Sequence, residues 1–208
     1  MVSSSHALTT DLQKSDSLPR LHWCPTGPFA FLPMHAAGMY FEGQDEECIS
    51  EYVVSSYTPT ISALLSSSTP TTNSFKMMAV IQPDTPGQRP LPGTINEVCK
   101  IEAHVSSKDL VQLVCGSVEE VVSHLPEVSI AHFACHGQQN TRNPFDSALL
   151  LQNGQLKVSQ IMQQSMPNAS LAFLSETAMG HENLPDEAIH LGAALLFAGF
   201  HGVVATMW

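Results

Sequence analysis

From residue 75 onward the chain alternates, at short intervals, between fully apolar runs and segments that carry helix-start signals. That alternation limits the fold more than any other feature. FKMMAVIQ (75–82), VQLVCG (111–116), SIAHFACHG (129–137), LAFLS (171–175) and VVATMW (203–208) read as strands. A strand with one wet face alternates apolar and polar residues. These do not, so they suit a sheet covered on both faces. Helix signals fall between them. TINEVCKIEAHV (94–105) begins with Thr94 and has Glu97 three residues on, the spacing of a capping box. SVEEVVSHL (117–125) opens with Ser117 and glutamates in the same way. A helix over 184–198 is predicted from Asn183 as a cap, Pro185, Asp186 and Glu187 in its first turn, and Gly199 at its end. Its AALLFA stretch is apolar nearly all round, which predicts cover on several sides. Asn153-Gly154 between apolar runs predicts a hairpin over 147–159, and KVSQIMQQS a short helix. The whole pattern predicts an α/β fold, a three-layer α/β/α sandwich with a mainly parallel sheet. In such sheets chemistry sits beyond the carboxyl ends of the strands.

Composition narrows the class. At 208 residues the chain is long enough for one domain with a real core, or two at most. Only 13% of residues are charged and 43% are hydrophobic, where soluble domains average about 25% charged. Disorder needs the opposite balance. The net charge of −11 and eight thinly spread basic residues argue against nucleic acid or an anionic membrane as partner. The five cysteines, Cys24, Cys48, Cys99, Cys115 and Cys135, are odd in number and lack C-x-x-C spacing. No disulfide framework is expected from them. No apolar signal core or membrane-length run is present, so a cytoplasmic protein is expected. Residues 1–20 read as a flexible polar tail. SSSTPTTNS (66–74) and QPDTPGQRPLPGT (82–94) read as surface loops.

Two strand ends carry candidate chemistry: Cys135-His136-Gly137 and Ser175-Glu176-Thr177. A histidine at a strand tip projects into the crevice, and the following glycine lets a ligand approach its backbone N–H. That pair suits a general base beside an oxyanion donor, although a histidine ending a strand is also ordinary structure. HFACH looks like a metal cluster, but His132 and His136 are four residues apart, roughly 13 Å along a strand. Alternation also turns Cys135 to the opposite face. No metal and no cofactor are expected, and His132 and Cys135 read as sheet-packed side chains. His181, His190 and His201 are scattered around the last helix. No Gly-rich loop follows the first strands, which weakens a nucleotide-binding alternative.

HFACHG (132–137) resembles the histidine motif of CHAT domains, caspase-like relatives of cysteine peptidases. WCPTGPFAFLPMHAAG (23–38), VSSYTPTISALL (54–65), QPDTPGQRPLPGT (82–94) and LPDEAIHLGAALLFAGFHGVVATMW (184–208) resemble further blocks of that family, the last in a form common among fungal members. The likeness spans 21–208 and implies a caspase-like fold. It implies a Cys–His dyad, in which a strand-tip histidine deprotonates a cysteine on the neighbouring strand. His136 takes the place of the base and Gly137 that of the oxyanion donor. The nucleophile does not carry over. The family pattern L-S-A-C-x-T-A meets Leu174-Ser175-Glu176-Thr177-Ala178 here, with the Ala-Cys pair missing. Ser175 marks the vestigial nucleophile strand tip, and a serine hydroxyl is a far weaker nucleophile at neutral pH.

Members usually continue past the strand at 203–208 into a covering helix. Without it the end of the sheet is expected to expose apolar surface and to self-associate or bind a protein or peptide partner. The expected function is therefore a catalytically silent interaction or regulatory module. The alternative is an active cysteine endopeptidase whose nucleophile is lost only from the sequence as written. Asp146, Asp186 and Glu187 could favour a basic substrate residue, though helix capping also explains the last two.

Overall fold

A computed structural model describes residues 18–25, 29, 32–40, 47–58, 61–65, 75–138, 140, 143–175 and 187–205. Residues 1–17 of the tail expected over 1–20, the loop at 66–74, Glu176, Thr177, His181, Asp186 and the last three residues lie outside that description, and Arg20 of that stretch opens a strand. The chain divides into two compact units, Met1–Leu64 and Leu65–Trp208.

In the first unit β1 (Arg20–Trp23) pairs in parallel with β4 (Val54–Tyr57), with Leu21 opposite Ser55. The Trp23 indole N–H donates to Ser55 Oγ at 3.0 Å, and Arg20 donates to Ser56 Oγ at 2.6 Å. Between them β2 (Gly38–Met39) and β3 (Glu47–Cys48) form an antiparallel pair. Gly38 is required there, because a Cβ would sit 2.7 Å from the Glu47 carbonyl oxygen. Cys48 is a strand residue. The short helix α1 (Ile61–Leu65) follows.

The second unit runs β5 (Met77–Ile81), α2 (Gly93–His104), β6 (Leu110–Val114), α3 (Val118–His124) and β7 (Ile130–Ala134). It continues with β8 (Gly137–Gln138), β9 (Ala148–Leu151), β10 (Gly154–Lys157), α4 (Val158–Met162), β11 (Leu171–Leu174), α5 (Glu187–Phe197) and β12 (Gly202–Ala205). Five strands form one parallel sheet in the order β12-β11-β7-β5-β6. These are the five apolar runs, so the expected α/β sheet is present, with a helix against each face. A smaller antiparallel sheet, β10-β9-β8, leads away from the end of β7.

The continuous apolarity of the strands follows from this layering. Ala131, Phe133 and Cys135 of β7 and its end enter a large core with Val121, Leu125, Leu156 and Leu195. Ala134, on the other side, joins a small one with Ala79, Ile81 and Val98 of α2. The hairpin forms where the sequence predicts, with Leu151 opposite Gly154 and Gln152-Asn153 as its loop. Ser117 caps α3 reciprocally. Its Oγ accepts from the Glu120 N–H at 3.2 Å, and the Glu120 carboxylate accepts from the Ser117 N–H at 2.7 Å. Asn153 adds to this cap, accepting from the Val118 N–H at 2.9 Å.

The capping box expected at Thr94 does not form. The helix starts one residue earlier, and Thr94 Oγ1 donates back to the Leu91 carbonyl at 2.7 Å. Helix α5 buries Leu191, Ala194 and Leu195, but Phe197 stays 52% exposed, so cover on all sides is not what the fold provides. Gly199 ends that helix with φ +119°, a conformation L side chains rarely adopt. β12 is an outer strand whose Val204 is exposed. Among the described residues no helix is long and apolar enough to cross a membrane.

Candidate active site

The carboxyl ends of β5, β7 and β11 lie side by side, because the three strands are neighbours in one parallel register. Leu174 is opposite Phe133, and the Ser175 N–H donates to the Phe133 carbonyl at 3.0 Å. Ser175 therefore stands alongside Ala134, two residues short of His136. One strand spacing and two residues of rise separate their Cα atoms by about 8 Å. The two tips that the sequence singled out are adjacent.

His136 does not project into an open crevice as expected, being only 1% exposed. Its Nε2 lies 2.7 Å from the carbonyl oxygen of Arg89. A carbonyl can only accept, so Nε2 carries the hydrogen. In the neutral ring the lone pair is then on Nδ1. The carbonyl comes from the Pro/Gly-rich segment read from sequence as a surface loop over 82–94. Most of that segment is exposed, and it also reaches the strand tips. The Gln82 N–H donates to the Ala134 carbonyl at 2.9 Å, and the Leu91 N–H to that of Pro83 at 2.8 Å. Within that segment Gln82, Thr85 and Leu91 are buried. Gln82 Nε2 donates to the Gly116 carbonyl at 2.9 Å, while Gln82 Oε1 and Thr85 Oγ1 have no partner among the described residues.

Gly137 opens β8 and is paired with Leu149. The Leu150 N–H donates to the His136 carbonyl at 2.8 Å. In an antiparallel ladder that bond makes Gly137–Leu149 a non-hydrogen-bonded pair. The Gly137 N–H consequently points away from β9. A buried imidazole with Nδ1 as its acceptor, a glycine N–H directed off the ladder and a neighbouring strand tip form one constellation.

The family model for the CHAT domain matches residues 4–208. The chain belongs to the CHAT family. No curated protein matches it. That family is caspase-like and related to peptidases, which accords with the mainly parallel sheet.

The cysteines of the second unit lie away from the His136 side of the strand tip or on other elements. Cys135 is fully buried on the face opposite His136, and burial pushes its thiol up to about 12. Cys99 lies in α2 and points to solvent. Cys115 is exposed at the end of β6, with β5 between it and β7. Cys24 and Cys48 belong to the first unit. Asp146 does not wait for a basic substrate residue. It accepts from Lys157 at 3.1 Å and from Asn143 at 2.7 Å, and these bonds hold its carboxyl below its ordinary value. Among the described residues no group of three His, Cys, Asp or Glu side chains is arranged to hold a metal ion.

His132 is a sheet-packed side chain with a partner the sequence did not suggest. Its Nε2 lies 2.9 Å from Glu97 Oε2, and its ring stacks on Phe173 at 5.2 Å. Burial lowers its pKa against the opposing pull of the Glu97 carboxylate. Sequence reasoning also missed the Arg89 carbonyl, since a backbone oxygen has no signature in the side-chain pattern. Glu97 did carry a signal, but its capping-box spacing pointed to the wrong partner.

Proposed function

We propose that the chain is a catalytically silent CHAT domain, a protein-interaction or regulatory module that retains the base half of a Cys–His site. The observation that carries this reading is the strand tip beside His136, which presents Ser175 where the family pattern reaches a cysteine two residues later. Cys135, the one cysteine of the His136 strand, faces the other way and stays protonated. His136 is read as the base through Nδ1, Gly137 as the oxyanion donor through its N–H, and Ser175 as a vestigial tip. Ser175 stands alongside Ala134, two residues short of His136, and a serine hydroxyl is a far weaker nucleophile than a thiolate at neutral pH.

The interaction role rests on the outer strand β12 and on Val204 and Phe197, apolar and exposed at that end of the unit. An outer strand offers N–H and C=O groups to another chain. Self-association or capture of a peptide strand is the expected use, read by sizing at tens of micromolar. A monodisperse monomer that binds no dye for apolar surface would refute it. For the site, the decisive experiment inserts Ala-Cys between Ser175 and Glu176. The repaired chain is expected to hydrolyse peptides in a His136-dependent way while the parent does not. Turnover by the parent, lost on His136→Ala, would overturn the reading.

A further inference from the structure

Two histidines of one motif, four residues apart, are held by one stretch of chain. His136 is gripped by the Arg89 carbonyl, just ahead of α2. His132 is gripped by Glu97, in the second turn of α2. Between them the chain is tightly tied. Thr94 Oγ1 donates to the Leu91 carbonyl, the Leu91 N–H donates to that of Pro83, and the Gln88 N–H to that of Thr85.

We propose that Glu97 and His132 form a clasp that positions the Arg89 carbonyl on His136, fixing the ring with its hydrogen on Nε2 and its lone pair on Nδ1. The inference rests on the reading of His136 as a retained base. Both are positioning residues, since neither touches the place where a substrate would react.

The packing explains why a polar clasp matters here. Among the described residues the core on the face of the sheet that carries α2 has four buried members, and α2 supplies Val98 to it, with Ile101 one turn on packed against it and only partly buried. Two apolar contacts limit how far a helix lifts, but apolar contact is not directional. Glu97 adds a directional bond beside Val98. A neutral His132 must donate from Nε2, because the carboxylate only accepts. Phe173 stacks on the ring and fixes its plane. The side chain of His132 is 8% exposed and that of Glu97 28%, so water competes poorly for the bond. Rotation of α2 would carry Thr94, Leu91 and the Arg89 carbonyl with it.

The test is nitrogen NMR of the histidine rings in the full chain. The wild-type His136 spectrum is expected to show the Nε2–H tautomer, with that hydrogen protected from exchange. Any other state would sink the reading of the site itself. In Glu97→Ala the His136 signature should turn into a tautomer mixture, with ring-hydrogen exchange at least about tenfold faster. Ten-fold corresponds to about 1.4 kcal/mol. Glu97→Gln can still accept from His132 and should restore the wild-type signature. Val98→Ala weakens the same helix contact without touching the clasp, and should leave His136 unchanged. If Glu97→Ala does not fold, His132→Phe is read in its place. A wild-type His136 signature in whichever clasp variant folds, or the same loss in Val98→Ala, would overturn the clasp while leaving the site reading intact.

Discussion

Alternate residues of β7 meet two different environments. Ala131, Phe133 and Cys135 face a core of twenty-one buried residues, closed by α3, α4, α5 and the β9–β10 hairpin. Their neighbours His132 and Ala134 face a second core of four, under α2. Across that thinner face runs one row in register, Val204, Phe173, His132, Ala79 and Gln112. It passes from an exposed edge, through a ring stack and a His–Glu bond, to a Gln112–Glu102 bond at 2.6 Å. The thick face supplies stability through non-directional burial. The thin face uses polar bonds that fix orientation, and it carries the candidate base. A site that needs one ring held in one tautomer is well served by directional contacts.

The largest effect should separate the two faces directly. Phe133 is fully buried on the thick side, and Phe133→Ala should cost about 3–5 kcal/mol. On the thin side Val98→Ala removes two carbons and should cost about 1.5 kcal/mol. Urea melts of the two variants check this, and equal losses would erase the distinction. Loss of the α3 cap by Ser117→Ala should cost about 1 kcal/mol. Asn153 remains to accept from Val118, so a loss near the upper end of the range, about 2 kcal/mol, would show that the hairpin contributes nothing to that cap.

Mild acid, from pH 7.5 to pH 5, should act on the thin face through His132, and more weakly. Burial holds His132 below its ordinary value of 6.5 in the folded chain. The unfolded chain therefore takes up more protons as pH falls. The stabilising contribution of the neutral ring is complete above pH 6.5 and is lost progressively below it. Wild type should lose more stability between pH 7.5 and pH 5 than His132→Phe does. An equal loss in both would remove His132 from the account.

What the sequence reveals divides along the same line. The strands of the sheet are legible because they are short and mostly apolar runs, and the inner strands β5 and β7 are covered on both faces. The hairpin at Asn153-Gly154 and the Ser117 cap are legible because their partners lie within a few residues. The clasp is not. Glu97 sits three residues after Thr94, so local spacing assigns it to a cap, yet its partner His132 is thirty-five residues away. The burial of His136 was hidden for a related reason. Its cover is a Pro/Gly-rich segment, and such composition usually marks a loop in solvent. The gap against the family pattern is read from the Leu174-Ser175 and Thr177-Ala178 flanks alone.

The central claim is that the base half persists without a thiol to activate. The most direct measurement is labelling by a peptide-based thiol probe, located by mass spectrometry in wild type and in His136→Ala. Exposed Cys99 and Cys115 can react slowly with any thiol reagent, and buried Cys135 should not react at all. The prediction is that no cysteine shows labelling that depends on His136. Rapid modification of one cysteine in wild type, abolished in His136→Ala, would contradict it.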